Sequence, residues 1–176
     1  MNTQLLDKPL QSGGGERARR VLFVCTGNTC RSPMAEALLL HMCRHREPCS
    51  ACPDPSVPKC DVRSAGLYAA PNAPITPTAV QALEQGGVLP VPEQDYRAHT
   101  AQSVTRELVD WADEILGITA SHAMQLMMRY PDAAEKISAL PMDIADPFGG
   151  DLATYTQCLA QLRYCLTLLF EKGGAQ

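Results

Sequence analysis

Cys25 and Arg31 stand six positions apart and bracket the stretch Cys25-Thr26-Gly27-Asn28-Thr29-Cys30-Arg31-Ser32. Successive backbone N–H groups in so tight a loop turn inward and make a concavity for an anion. A helix starting directly after it aims its positive end at the same spot. Gly27 and Asn28 are residue types that tolerate the left-handed backbone such a loop requires. Arg31 supplies a planar fork that matches two oxygens of a phosphoryl group. These positive surroundings favour the thiolate of Cys25, the form that attacks, and Ser32 can hydrogen-bond the sulfur. A nucleotide-binding loop of the GxxxxGK[ST] kind is excluded, because the lysine is missing and the spacing differs. A cysteine in this cradle makes chemical sense for covalent attack on phosphorus. Cys-x5-Arg alone arises often by chance, so its place between a strand and a helix is what makes it a site.

Those flanking elements are readable. VLFVC (21–25) is a short, continuous apolar run rich in β-branched residues, as in a buried parallel strand. PMAEALLLHMCRHRE (33–47) reads as a helix, with Ser32 as N-cap, Pro33 at the first helical position and Glu36 in the first turn. Further along, the pattern predicts a strand over 61–69, helices over 77–87 and 105–112, and a strand over 113–119. It then predicts a helix over 121–131, a short strand within EKISALP (135–141) and a closing amphipathic helix over 154–172. Strands alternating with helices imply an α/β fold whose parallel sheet is covered on both faces. Ligands of such sheets gather at the carboxyl ends of the strands, where the cysteine loop lies.

The 176 residues suit one domain. Residues 1–19 are polar, contain Ser-Gly-Gly-Gly and are expected to form a disordered leader. The domain then spans 20–176, with a Cys/Pro-rich insertion at about 46–60. The net charge of −4 and 5% aromatics argue against nucleic-acid partners and an anionic membrane surface. No apolar run approaches a membrane span, and the N-terminus does not read as a secretory signal, so a reducing cytoplasm is expected. The eight cysteines are then thiols to be read for chemistry or packing rather than as disulfides. Cys43, Cys49, Cys52 and Cys60 with His41 and His45 offer only one paired zinc knuckle, so a flexible insertion without metal is expected.

CTGNTCRSPMAE resembles the catalytic loop of the low-molecular-weight protein tyrosine phosphatase family. The similarity continues through VRSAG (62–66), the region from His99 to Thr119, and DPFGG (146–150). The resemblance implies a three-layer α/β/α fold with a four-stranded parallel sheet, the phosphatase I-like fold. It also implies a nucleophile at Cys25, a phosphate-binding arginine at Arg31 and a general acid at Asp146. No cofactor is implied, and a phosphorylated protein is the expected substrate of a monomeric enzyme. The chemistry itself asks for one carboxyl that protonates the leaving atom and then deprotonates water. Asp143 is a rival three residues earlier, and the resemblance favours Asp146.

Other residues follow from the same resemblance. Asn28 and Ser64 are expected to hold the loop from behind. Cys30 is a candidate redox partner for the nucleophile, since a nearby thiol traps a sulfenic acid reversibly. Tyrosine-directed members usually carry an aliphatic residue at the position of Thr29, and an aromatic pair after Asp-Pro where this chain has Phe148 and two glycines. Thr29 and Phe148 therefore point to the protein-arginine-phosphatase branch, with tyrosine as the alternative. Arsenate reduction is the weaker rival, because no cysteine lies between Cys60 and Cys158. A non-catalytic phosphate-binding module would have no use for Cys25 or Asp146. His99 and His122 show no partner in the sequence and read as surface or capping residues.

Overall fold

The computed structural model describes residues 18–45 and 60–170. The expected leader lies outside the described residues as far as position 17, but Arg19 opens the first strand rather than closing the leader. Positions 46–59 of the Cys/Pro-rich insertion, including Cys49 and Cys52, also lie outside. Among the described residues, no three His, Cys, Asp or Glu side chains are grouped to hold a metal ion. No described helix is long and apolar enough to cross a membrane.

The chain runs β1 (Arg19–Cys25), α1 (Arg31–His45), β2 (Cys60–Gly66), α2 (Pro77–Gln85), α3 (Arg106–Trp111), β3 (Glu114–Gly117), α4 (Ala120–Arg129), β4 (Ile137–Ala139) and α5 (Leu152–Phe170). Short 3-10 turns occupy Tyr96–Ala98 and Pro131–Lys136. The four strands form one sheet of order β2-β1-β3-β4, and every pairing is parallel. The alternation of strands and helices in the sequence thus becomes the expected three-layer α/β/α fold.

β1 explains the layering. Its side chains alternate between faces, and Val21, Leu22, Phe23 and Val24 are all fully buried. Val21, Phe23 and Cys25 pack with Met34 and Leu38 of α1, Leu83 of α2 and Leu162 of α5. Leu22 and Val24 pack with Leu108 of α3 and Leu126 of α4 on the opposite face. A strand buried on both faces has no polar side to alternate with, hence its continuous apolar run. Burying each such side chain is worth roughly 1.5–3 kcal/mol. β1 therefore fixes the loop that leaves its carboxyl end.

Two of the boundaries that differ from expectation bear on the site. β2 ends at Gly66 rather than Ala69, because the chain beyond it turns to bond the loop that leaves β1: Leu67 N donates to the Cys25 carbonyl and Tyr68 N to that of Thr26, both at 2.9 Å. α1 begins two residues early, at Arg31, and Met34 N donates to the Cys30 carbonyl at 3.1 Å. Ser32 is therefore inside the helix and is not its N-cap, and Pro33 is its third residue.

Candidate active site

The early start of α1 places Arg31 and Ser32 in the first helical turn, where backbone N–H groups have no intrahelical acceptor. Those donors face the loop, as an anion site requires. Ser32 does not cap; its hydroxyl lies 3.0 Å from Cys25 Sγ. Ser32 Oγ accepts from Asn28 Nδ2 at 2.9 Å, so its own proton is available to the sulfur. A longer contact, 3.4 Å, runs from the same hydroxyl to the Ala65 carbonyl. Asn28 N also donates to Cys25 Sγ, at 3.3 Å. Two hydrogen bonds thus converge on a sulfur that is only 2% exposed.

Asn28 holds the loop. It is fully buried and adopts φ +56°. Gly27, expected to share that freedom, has no positive φ, so the left-handed turn falls on Asn28 alone. The Asn28 side chain spends its hydrogen-bonding capacity on the scaffold: Nδ2 donates to Ser32 Oγ and to Ser64 Oγ, both at 2.9 Å, and Oδ1 accepts from Gln102 N at 2.9 Å. Asparagine is suited to such a position because it tolerates left-handed backbone and offers both donors and an acceptor. The expected pairing of Asn28 with Ser64 is present.

Arg31 is buried, and Nη1 donates to the Ile144 carbonyl at 3.0 Å. Nη2 lies 3.2 Å from Asp146 Oδ2. The sequence thus brings its nucleophile candidate, its arginine and its acid candidate to one place. Asp146 is half exposed, at 52%, and its Oδ1 accepts from Phe148 N at 3.2 Å. Asp143 is engaged differently: its Oδ1 accepts from Ala120 N at 2.7 Å, at the start of α4. Cys30 is buried, with Sγ 3.3 Å from Tyr155 Oη and 3.5 Å from Thr76 Oγ1. Thr29 is partly buried, and its hydroxyl lies 3.8 Å from Cys30 Sγ. Phe148 is 70% exposed.

Several residues around the loop had no signal in the sequence. His99 Nε2 is 3.0 Å from the Asn28 carbonyl. His122 is 5% exposed; it completes a capping box with Thr119 and also reaches Thr26 Oγ1 at 3.0 Å. Glu36, expected in the first turn of α1, is instead its sixth residue because the helix begins at Arg31, and it is buried beside Gln94, whose Nε2 donates to its Oε1. Burial pushes the Glu36 carboxyl above its ordinary value of 4.5, against hydrogen bonds from Ser64 and Gln94 and the charges of His99 and Arg63.

Glu36 gives a pH prediction. Above 4.5 the unfolded carboxyl has lost its proton while the folded one still holds it, so stability falls as pH rises through the folded value. Glu36→Gln removes that loss. The variant is expected to gain stability relative to the natural chain from about pH 4.5 towards neutrality, read by urea unfolding at several pH values. A difference that stays constant with pH would contradict the burial argument.

A four-stranded parallel sheet with a Cys-x5-Arg loop at the carboxyl end of β1, and an aspartate on the guanidinium, defines a cysteine-dependent phosphatase. Residues 20–174 match the model of the low molecular weight phosphotyrosine protein phosphatase family, and the chain belongs to that family. It is 34% identical over 160 residues to a protein-arginine-phosphatase of Geobacillus stearothermophilus, covering 87% of this chain and 95% of that one. It is 32% identical over 149 residues to a probable low molecular weight protein-tyrosine-phosphatase, EpsP, of Ralstonia nicotianae, covering 82% and 89%. Among solved structures, a YwlE arginine phosphatase mutant with a phosphorylated active-site serine superposes with a TM-score of 0.72 at 33% identity, covering 87% and 94%.

Proposed function

We propose that this cysteine-dependent protein phosphatase removes the phosphoryl group from phosphoarginine on proteins. The Cys25 thiolate attacks phosphorus, and the P–N bond breaks as Asp146 gives its proton to the leaving guanidine nitrogen. Water then attacks the phosphocysteine while Asp146 takes up its proton, releasing phosphate and the thiolate. Arg31 holds two phosphoryl oxygens, and the Ser32 hydroxyl steadies the sulfur as it leaves. Every group in this scheme comes from one chain, so we read the active form as a monomer in a reducing cytoplasm that keeps Cys25 a thiol.

The single observation that carries the choice of arginine is Thr29 in the phosphate loop. Its hydroxyl replaces a methyl-bearing branch, so the wall beside the bound group is polar and suits a planar, hydrogen-bonding guanidinium better than a phenol. The acid loop agrees. Phe148 is followed by Gly149 at φ +79°, a backbone that strains a bulky aromatic residue. A second aromatic wall cannot be placed there, and a phenyl ring would have one face uncovered. Asp146 can also pair with the substrate guanidinium once its nitrogen has been protonated.

The expected result is faster hydrolysis of phosphoarginine than of phosphotyrosine in matched proteins or peptides. Thr29→Ile is expected to shift the ratio of kcat/KM values towards tyrosine by about tenfold or more, the scale on which one methyl-sized change in a pocket discriminates. A natural enzyme that prefers phosphotyrosine would place the chain with the tyrosine-directed members instead.

A further inference from the structure

We propose that the first turn of α4 is a clamp that holds the phosphate loop and the acid loop in register, with His122 and Asp143 as its positioning residues. The proposal rests on the roles assigned above to Cys25 and Asp146. It begins from a geometric need: the acid must reach the leaving atom while that atom is in line with sulfur, yet the two groups lie on loops far apart in the chain. A misplacement of about 1 Å in such an arrangement can cost on the order of 100-fold in rate.

Both loops are tied to the same helical turn. From the phosphate loop, Thr26, the neighbour of Cys25, has its Oγ1 3.0 Å from His122 Nε2. From the acid loop, Asp143 Oδ1 accepts from Ala120 N at 2.7 Å. Ala120 is the first residue of α4 and His122 the third, so the anchor points are two residues apart on a rigid element. The acid loop is pinned again one residue later, where the Ile144 carbonyl accepts from Arg31 Nη1. Asp146 follows two residues on.

The histidine is oriented for this task. Thr119 N donates to His122 Nδ1 at 3.2 Å, so Nδ1 carries no proton. Nε2 therefore bears the hydrogen and donates to Thr26 Oγ1. Burial, and after it the charge of Arg31, pushes the imidazole below its ordinary value, which fits this neutral tautomer. The turn itself is set firmly against the sheet: a Cβ on Gly117, at the end of β3, would come within 2.6 Å of Ala123 N. Asp143 supplies the acceptor and the negative charge that a helix N-terminus favours. That use of its carboxylate explains why an aspartate stands three residues before the acid without being one.

The test is the dependence of kcat/KM on leaving-group pKa across a series of aryl phosphates, in the full chain. Good leaving groups need little acid catalysis and poor ones need much, so a displaced Asp146 steepens the dependence. Asp143→Ala is expected to slow the poorest leaving groups by about tenfold and the best by no more than about twofold. Asp143→Asn keeps an oxygen for the Ala120 N–H and is expected to restore the natural slope. Ala120→Pro removes the donor from the other side at a first-turn position that accepts proline, and is expected to reproduce the steep slope with Asp143 intact. His122→Phe is expected to lower kcat/KM by one factor across the series and to weaken inhibition by inorganic phosphate, because it frees the phosphate loop and not the acid. Unchanged slopes in both Asp143→Ala and Ala120→Pro would overturn the clamp. Equal damage from Asp143→Asn and Asp143→Ala would also overturn it, since the carboxyl itself would then be reacting. If the natural chain shows no Cys25-dependent turnover at all, the underlying reading has failed, before any clamp variant is measured.

Discussion

Replacing Cys25 by serine is expected to abolish steady-state hydrolysis, with a loss on the order of 10⁴- to 10⁶-fold in kcat, the scale seen when an enzyme loses its nucleophile. The surroundings of the sulfur explain the size of the effect. Asn28 N and the Ser32 hydroxyl are aimed at Sγ from 3.3 and 3.0 Å, and the helix N-terminus adds its positive end. A serine hydroxyl gives up its proton far less readily than a thiol, so the same donors do not make it a comparable nucleophile. The two half-reactions fail to different degrees. A serine phosphorylated slowly through the intact Arg31 and Asp146 would leave a phosphate ester, and its oxygen is a much poorer leaving group than sulfur. The second step should therefore stall with one phosphoryl group on the protein, visible by intact mass. Inorganic phosphate should still bind, because the loop amides and Arg31 are untouched. Turnover by the serine variant near the natural rate would show that the sulfur is not the nucleophile.

How much of this site could be read in the sequence depended on how local each contact is. Cys25, Asn28, Arg31 and Ser32 lie within eight residues, and a strand before and a helix after them constrain the loop between, so their convergence was legible. Asp146 was reached by resemblance, since chemistry asked for a carboxyl but left Asp143 in competition with it. What separates those two is a hydrogen bond from Ala120 to Asp143, across 23 residues, and no periodicity records it. The histidines show the same limit. His122, which reads as a surface or capping residue, is buried in a capping box with Thr119, and its second nitrogen meets Thr26 across 96 residues. His99 meets the Asn28 carbonyl across 71. The reading of Ser32 as N-cap went wrong for a physical reason: the hydroxyl that would close the helix N-terminus is taken by sulfur, which leaves the first turn's amides open for the anion. The early start of α1 also moves Glu36 out of the first turn, and its burial under Gln94 rests on a contact 58 residues away.

Asp146→Asn should separate binding from turnover, and in opposite directions. Asp146 Oδ2 lies 3.2 Å from Arg31 Nη2, and Arg31 is the guanidinium proposed to grip the phosphoryl oxygens. A carboxylate there competes with the anion for the same donor and repels its charge. Because Asp146 is half exposed, that competition is modest, worth about 0.2–1 kcal/mol as for other exposed ion pairs. The amide of the variant lacks the charge, so inorganic phosphate should inhibit it at concentrations lower by roughly 1.4- to five-fold, the same energy expressed as affinity. Turnover should fall by about 10²- to 10⁴-fold, the usual contribution of a positioned acid–base group. The amide can neither protonate the leaving atom nor take a proton from water, so both half-reactions slow. Tighter phosphate together with slower turnover distinguishes a reacting carboxyl from a structural one, whose loss would loosen the loop and weaken both. Phosphate that binds more weakly to the asparagine variant would show that Asp146 supports Arg31 rather than competing for it, and the acid would have to be sought elsewhere on the same loop.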